Sequence, residues 1–288
     1  MDQTESKVSG GKIVRYVVCI LLCFLSILPF YILIINSTLK STEIVTGIKL
    51  IPGGEFITNF KGLLAGSEKT SGVNVLQAML NSLLVTVPAT ALQIYFGSLT
   101  AYAVTVYNFK LKKFAWGFIY AIMMIPQQVS IVGFIKVCNL THIYGSYLAM
   151  IIPAIAAPTT VYFMKQYMET GLSTEIVEAA RIDGCSEARI FFQMVLPMSR
   201  PIVVYTVISS FLVPWMDFVY AKMILNAGIS SKYTVAIGLY KMLDKSLINS
   251  YFTQFCAGGV LVSIPISILF MIMQKFYVEG ITGGAVKG

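Results

Sequence analysis

The chain has 288 residues, of which 57% are hydrophobic and only 12% carry a charged side chain, and its formal net charge is +8. A soluble globule of this length has too few charges to cover so much apolar surface, so the lipid bilayer is the expected solvent. The same figures exclude disordered, coiled-coil, collagen-like and disulfide-rich secreted chains. Because the positive charges are scattered between apolar runs, we expect no nucleic-acid partner.

Six apolar runs of about spanning length follow one another along the chain. They predict an all-α integral membrane protein with six transmembrane helices that form a single domain over residues 1–288. The first run exceeds the length of a signal-peptide core, so we interpret it as an uncleaved first span. The predicted spans are 13–35, 75–106, 114–137, 147–167, 201–225 and 255–277.

The basic residues predict the orientation of these spans. The tight turn at residues 108–113 contains three lysines beside two helix ends, where the positive-inside rule carries most weight. We therefore expect both termini in the cytoplasm. This orientation makes residues 36–74, with Pro52, Gly53 and Gly54, an irregular external lobe, and it places residues 169–198 inside the cell.

The inner segment 169–198 is charged, helix-like and much longer than a turn between bundled helices needs, which is typical of a loop with a partner. Locally it predicts two short helices with a sharp bend. Gly171 is expected to end the fourth span, Ser173 to cap the next helix, and Gly184 to end that helix. A second helix is expected to start at Ser186 and to stop at Pro197.

Small side chains lie on this predicted hairpin. Ala179, Ala180 and Gly184 leave room for the backbone or groove of another protein to approach closely. A surface hairpin without any partner is the alternative that these residues leave open.

The same segment contains a spaced motif: Glu178, Ala179, Ala180, then Gly184 after three residues, Met194 after nine more, and finally Leu196 and Pro197. The motif resembles the EAA signature of the membrane subunits of ATP-binding-cassette (ABC) importers, in which isoleucine usually stands in place of Met194. Two further stretches, at 215–218 and 274–288, are similar to the carbohydrate-uptake branch, specifically to the smaller permease of maltose-type or maltodextrin-type systems.

The resemblance implies a type I ABC importer permease fold, in a bacterial cytoplasmic membrane, with a cytoplasmic EAA coupling helix. It also implies four kinds of partner: a second, larger permease, two ABC ATPase subunits, an extracellular sugar-binding protein, and the lipid membrane. The residues implied at the ATPase interface are Glu178, Ala179, Ala180, Asp183, Gly184, Leu196 and Pro197. The implied function is the import of a sugar or oligosaccharide by alternating access.

The chain contains no phosphate loop of the form G-x-x-x-x-G-K-[ST], so we expect a transport subunit rather than an enzyme. We expect it to bind no cofactor, with ATP and Mg²⁺ used by the partner ATPases. The resemblance also places the tail 280–288, including Gly283, Gly284 and Lys287, between those subunits. Its four glycines are not expected to hold a helix unaided, and a frayed terminus is the alternative.

Asp217 is the one acid within an apolar run, and intramembrane acids are functional candidates by default. We consider Pro214, Trp215 and Asp217 a possible gate or part of the translocation path, with a hydrated structural acid as the alternative. His142 has no second ligand at a suitable spacing, so no metal site is expected.

In the outer segment 226–250, the tip at Gly228, Ile229, Ser230 and Ser231 is a possible contact for the binding protein, and a plain connector is the alternative. A secondary transporter driven by an ion gradient is the rival function. It predicts paired intramembrane carboxylates or repeated halves, and neither is evident in the sequence.

Overall fold

The computed structural model describes residues 10–44, 47–65, 73–225, 230–243 and 248–285. These residues form helices and connecting turns and contain no β-strand, so the predicted all-α class is confirmed for them. The chain divides into two compact units. One contains residues 1–72 and 241–261, and the other contains residues 73–240 and 262–288.

The first unit contains α1 (Gly10–Ser37), α2 (Ser41–Ile44), α3 (Phe56–Ala65) and the beginning of α15 (Ile248–Ala285). Most of the large apolar side chains of α1 are exposed, as expected for a helix that faces lipid. The lobe predicted as irregular at 36–74 contains a ten-residue helix, α3. The amide of Asn59 anchors α3 by donating to the carbonyl oxygens of Ser37 and Leu39, each at 2.9 Å.

The second unit carries most of the remaining helices. These are α4 (Val75–Val106), α5 (Lys112–Met123), α6 (Gln127–Leu140), α7 (Leu148–Ile151), α8 (Pro158–Gly171), α9 (Thr174–Ile182), α10 (Glu187–Ile190), α11 (Leu196–Met198), α12 (Arg200–Met216), α13 (Val219–Ile224) and α14 (Val235–Met242). Helix α4 is central and packs against both α8 and α12. Gln93 of α4 donates to the hydroxyl of Thr160 at 2.7 Å, and Gly97 admits that threonine because a Cβ there would lie 2.8 Å from its methyl group.

By length and composition, four of the described helical stretches can cross a membrane: Gly11–Ser37, Val75–Val106, Leu148–Gly171 and Tyr251–Phe276. A bent pair, Glu187–Met198 and Arg200–Met216, meets at 83° and gives a fifth if it is one span. The helix Val75–Val106 has the same bounds as the predicted span 75–106.

Three predicted spans are not continuous α-helices. In the run 147–167, α7 passes into a 3-10 turn at Ile152–Ile155, and the helix breaks at Ala156 and Ala157 before α8 begins. The run 114–137 is interrupted between α5 and α6 at Pro126, which has no backbone N–H to donate and disfavours the α conformation in the residue before it. The run 201–225 is interrupted between Met216 and Val219, where Asp217 has an extended backbone.

The C-terminal tail also differs from its prediction. Helix α15 continues through Gly283 and Gly284 to Ala285. Extending an existing helix requires no new nucleation, and each glycine costs only about 1 kcal/mol relative to alanine. Lys287 lies outside the described residues.

Candidate functional site

The motif residues lie on a helical hairpin formed by residues 172–198, which we name the EAA hairpin. Helix α8 ends at Gly171 as predicted, and α9 follows. Ser173 occupies the position before α9, but its side chain makes no capping hydrogen bond, so that part of the prediction is wrong. Ser186 does cap α10, since its hydroxyl accepts from the backbone N–H of Arg189 at 3.3 Å.

A glycine turn separates the two arms of the EAA hairpin. Gly184 has φ +78°, a left-handed conformation that favours glycine. The N–H of Cys185 donates to the carbonyl of Ala180 and the N–H of Gly184 to that of Arg181, both at 3.0 Å, which is the Schellman helix ending. A Cβ at Gly184 would meet nothing within 4 Å, so the backbone conformation, and not crowding within the chain, requires glycine there.

The two faces of α9 differ sharply. Val177 and Ala180 are buried, whereas Glu178, Ala179 and Asp183 are exposed and Ile182 is 86% exposed. The expectation that Ala180 lies open to a partner together with Ala179 is therefore wrong. Adjacent helical residues point about 100° apart, and Ala180 points inward.

The inner face of α9 packs into a continuous apolar core. This core consists of Ala101, Tyr102, Val161, Met164, Met168, Leu172, Val177, Ala180, Ile190, Phe191 and Val195. It joins the hairpin to the ends of α4 and α8. Leu196 packs partly buried against it, and Pro197 is exposed.

The second arm of the hairpin ends at Met198, one residue after the predicted stop at Pro197. The backbone stays helical from Glu187 to Met198, with a wider π-type turn at Phe191–Val195 just before the proline. Such a turn changes the hydrogen-bond pattern where Pro197 cannot donate. Ser199 is buried at the bend, and the guanidinium carbon of the next residue, Arg200, lies 3.6 Å from the ring centroid of Phe276.

Sequence reasoning missed a polar cluster at the base of the hairpin. The carboxylate of Glu187 accepts from Arg181 Nε at 2.6 Å and Nη2 at 3.3 Å, from the hydroxyl of Tyr102 at 3.0 Å, and from the hydroxyl of Tyr107. We name these four residues the Glu187 cluster. Opposite charges on either side of the Gly184 turn are a local signal that could have indicated the ion pair. The tyrosines lie 80 and 85 positions away, and nothing local indicates them.

The electrostatics of the cluster are consistent with a permanently charged carboxylate. Hydrogen bonds from Arg181 and then Tyr107 lower the pKa of Glu187 to about 2. The same carboxylate raises the pKa of Arg181. Burial, followed by the hydrogen bond to Glu187, raises the pKa of the Tyr107 hydroxyl. These directions keep Glu187 and Arg181 charged and the Tyr107 hydroxyl protonated over the physiological pH range.

The second candidate group lies at the far end of α12 from the EAA hairpin. Trp215 is fully buried, stacks on Phe211 with ring centroids 5.5 Å apart, and contacts a core that includes Val235 and Val262. Asp217 is half-buried and accepts the backbone N–H of Tyr220 at 3.0 Å, so its carboxylate caps α13. Pro214 lies within the last turn of α12.

The third candidate group is the segment from Gly228 to Ser231, and the structure describes only part of it. Gly228 and Ile229 lie outside the described residues, and the chain from Ser230 to Lys232 forms a 3-10 turn. The carbonyl oxygens of Ser231 and Tyr233 accept from the amide of Asn81 at 2.8 and 2.9 Å. Ser231 is therefore tied to α4 through its backbone carbonyl.

Among the described residues, no group of three or more His, Cys, Asp or Glu side chains is arranged to hold a metal ion. The geometry is instead that of a helical membrane protein with a braced hairpin whose outer face is open.

Comparison with known proteins identifies the family. Residues 93–283 match the family described as the binding-protein-dependent transport system inner membrane component. The chain is 31% identical over 273 residues to the galactooligosaccharides transport system permease protein GanQ of Bacillus subtilis, covering 93% of this chain and 94% of GanQ. It is 32% identical over 270 residues to the arabinooligosaccharides transport system permease protein AraQ of Halalkalibacterium halodurans, covering 93% of each.

A solved structure has the same fold. The crystal structure of a bacterial ABC transporter involved in the import of the acidic polysaccharide alginate contains a chain that aligns with a TM-score of 0.75 at 17% identity, covering 96% of this chain and all of that one. The ion-gradient alternative receives no support from these relatives. The chain is a multi-pass membrane protein and a transport subunit rather than an enzyme, and it belongs to the inner-membrane components of binding-protein-dependent transport systems, the permeases of ABC importers.

Proposed function

We propose that this chain is one of two permease subunits of an oligosaccharide importer and that α9 is its coupling helix. One observation carries the proposal: α9 is anchored by a buried inner face while its outer face, with Glu178, Ala179 and Ile182, is open. Glu178 makes no hydrogen bond or ion pair with any residue in the described part of the chain. An exposed isoleucine beside a small residue and an acid suits a groove with an apolar floor and a basic rim.

In the proposed mechanism, α9 seats in a cleft of an ATPase subunit and Glu178 pairs with a basic residue there. The closing of two ATPases on ATP displaces α9 as a rigid lever. Because Val177 and Ala180 lock α9 onto the ends of α4 and α8, the displacement turns those helices and changes the bundle from inward-facing to outward-facing. Leu196 supports the lever from the core side, and Asp183 and Gly184 form its exposed end.

We propose six spans, with both termini in the cytoplasm. Four helical stretches of spanning length give four spans. The fifth is α12 continued by α13, because Glu187–Met198, the other member of the bent pair, belongs to the EAA hairpin. Helices α5 and α6 have 12 and 14 residues, or about 18 and 21 Å at 1.5 Å per residue, so each alone is shorter than the roughly 30 Å hydrocarbon layer. The two together form the sixth span, interrupted at Pro126. All spans form one permease domain over residues 1–288.

The proposed assembly contains this chain, a second and larger permease, two ABC ATPases that use ATP and Mg²⁺, and an extracellular sugar-binding protein. This chain binds no nucleotide itself. The tail with Gly283, Gly284 and Lys287 lies between the ATPases, and the segment from Gly228 to Ser231 contacts the binding protein. Pro214, Trp215 and Asp217 stay candidates for the gate, although the capping contact of Asp217 also supports a structural role.

The proposed cargo is a short sugar oligomer. Two relatives that cover 93% of this chain are named for transport of galactooligosaccharides and arabinooligosaccharides. The pentose and hexose oligomers in those names share a ring-and-hydroxyl chemistry, and that chemistry is the class that we assign here.

Affinity purification of the tagged chain in mild detergent, followed by an ATPase assay, tests the assembly. We expect an ATPase subunit and a second permease to be recovered, with vanadate-sensitive hydrolysis that a sugar-loaded binding protein stimulates. Uptake of labelled galacto- and arabino-oligosaccharides into proteoliposomes then tests the cargo. A lone chain with no associated ATPase in several detergents would overturn the proposal.

The assignment of Glu178 has its own test. Glu178→Lys should release the ATPase subunit and lower uptake at least about tenfold, equivalent to about 1.4 kcal/mol of lost docking energy. Glu175→Lys, the same charge change one turn earlier on α9, is the matched control and should retain the ATPase. Full uptake by both variants would remove Glu178 from the interface.

A further inference from the structure

The Glu187 cluster connects three elements that are separate in sequence. Arg181 lies in the last turn of α9, Glu187 in the first turn of α10, and Tyr102 and Tyr107 at the end of α4. Both oxygens of the Glu187 carboxylate are used: Oε1 accepts from Arg181, and Oε2 accepts from Arg181 and from both tyrosines. One side chain therefore bonds to the proposed coupling helix and to a membrane-spanning helix.

The aromatic rings support this arrangement from the sides. The guanidinium carbon of Arg181 lies 5.2 Å from the centroid of the Tyr107 ring, which favours a cation–π interaction. The rings of Tyr102 and Tyr107 meet edge to face at 5.6 Å, and Tyr102 also contacts Phe191 at 5.6 Å. The packed rings therefore hold the Arg181–Glu187 ion pair in one geometry, unlike most ion pairs on a protein surface.

The cluster is not needed to form the hairpin. The Schellman ending at Gly184 and the burial of Val177 and Ala180 specify the two arms without any contribution from Glu187. What the cluster adds is resistance to bending between the hairpin and the end of α4. Two hydrogen bonds from the tyrosines to Glu187 and the contact of Arg181 with the Tyr107 ring cross that junction.

We propose that Glu187 is a positioning residue whose contacts with Arg181, Tyr102 and Tyr107 make the EAA hairpin and the end of α4 move as one body, so that ATP hydrolysis is converted into movement of α4. The inference rests on the proposed function, since it describes how the coupling helix transmits its displacement. Removing the carboxylate leaves ATPase docking intact, because the outer face of α9 is unchanged. Hydrolysis then continues while transport falls.

The test compares wild-type and variant forms of the complete importer in proteoliposomes. Each preparation contains both permeases, the ATPases and the binding protein. We expect Glu187→Ala to retain its ATPase subunits and its basal hydrolysis but to consume at least about three times more ATP per sugar than the wild type, a change of about 0.7 kcal/mol in coupling. Glu187→Gln keeps an acceptor for the tyrosines, and Tyr107→Phe removes one hydroxyl. Both should consume an amount of ATP per sugar between those of the wild type and Glu187→Ala.

A double-mutant cycle and a structural readout separate positioning from folding. If Arg181 and Glu187 act as a pair, the double variant Arg181→Ala, Glu187→Ala should consume no more ATP per sugar than Glu187→Ala alone. Hydrogen exchange of the amides at 181–190 should speed up in Glu187→Ala, while α5 exchanges as in the wild type. Arg189→Ala is the matched control. Arg189 lies on the same short helix, and among the described residues its side chain bonds to Gln193 alone.

The outcomes are distinguishable. A wild-type ratio of sugar to ATP in Glu187→Ala overturns the inference and leaves the proposed function intact. Loss of ATPase subunits from Glu187→Ala also overturns it, since the residue would then serve docking. A wild-type assembly that hydrolyses no ATP overturns the proposed function itself.

Discussion

Two interruptions of helical structure in the second unit each have an acid beside them, and the acids differ in their surroundings. At Gly184 the chain turns between α9 and α10, and the neighbouring outward side chains of Glu178 and Asp183 have no partner in the described part of the chain. At Asp217 the helix is interrupted between α12 and α13, and the Asp217 carboxylate accepts the backbone N–H of Tyr220 at the start of α13. Trp215 beside it is fully buried.

The difference is whether the carboxylate of each acid has a hydrogen-bond partner within its own chain. A polar group that is satisfied within its own chain needs no partner, whereas an exposed acid on a rigid, well-anchored helix is available to one. The EAA hairpin therefore has the properties of a docking surface, and the Asp217 break has the properties of a helix cap. Four predictions test this contrast.

The largest expected effect is a difference between two neighbouring alanines, one of which affects uptake and the other the stability of the fold. Ala179→Leu should lower uptake at least about tenfold without changing thermal stability, because the side chain projects from the exposed face, where we propose that the ATPase docks. Ala180→Leu should instead destabilise the chain by about 1 to 3 kcal/mol, since it overfills the core beneath α9. Fluorescence-detected thermal unfolding and uptake assays measure the two effects.

The reverse assignment would contradict the two-faced description of α9. It would be seen as a stable Ala180→Leu that loses the ATPase, together with an Ala179→Leu that unfolds early. Ile182→Ala is a useful companion, because it removes apolar surface from the exposed face alone and should weaken docking without a change in melting temperature.

Gly184 gives the next largest effect. Gly184→Val forces a branched residue into positive φ at a cost of about 1 to 2 kcal/mol and should reduce uptake several-fold. Gly184→Asn tolerates that conformation and should retain most activity. If Asn and Val were equally inactive, close approach of a partner, and not the backbone turn, would be the reason for glycine.

Asp217 is expected to give a smaller effect. Asp217→Asn keeps a capping oxygen for the N–H of Tyr220 and should transport at close to the wild-type rate, whereas Asp217→Ala loses about 1 kcal/mol of capping energy. Uptake rates and melting temperatures of the two variants are compared. An inactive but stable Asp217→Asn would show that the charge itself is used in transport, which favours the gate hypothesis.

The smallest effect concerns pH. The pKa of Glu187 is about 2, lowered from its ordinary value of 4.5 by Arg181 and Tyr107, so its stabilising contribution is complete above pH 4.5 and is lost as the pH falls towards 2. The difference in melting temperature between wild type and Glu187→Gln should therefore be constant from pH 5.5 to about pH 8. A difference that shrinks between pH 7 and 6 would mean that the carboxylate is not held by Arg181.

Much of the site was predictable because its determinants are local. Gly171, Gly184 and Ser186 end or start helices through their own backbone and side-chain chemistry, and the structure places them in those positions. The tail at Gly283 and the cap at Ser173 were predicted wrongly, because a long preceding helix outweighs glycine propensity and because a hydroxyl at the right position need not bond.

The sequence by itself determined the membrane class, the positions of most apolar helices and the presence of the motif, because each depends on composition, periodicity and spacing along the chain. Only the tertiary structure decided which neighbouring alanine faces inward, that Ser231 is tied to Asn81, and that Tyr102 and Tyr107 meet Glu187. Those facts depend on contacts between residues about 80 to 150 positions apart. Such contacts follow from how helices pack, and no local pattern encodes them.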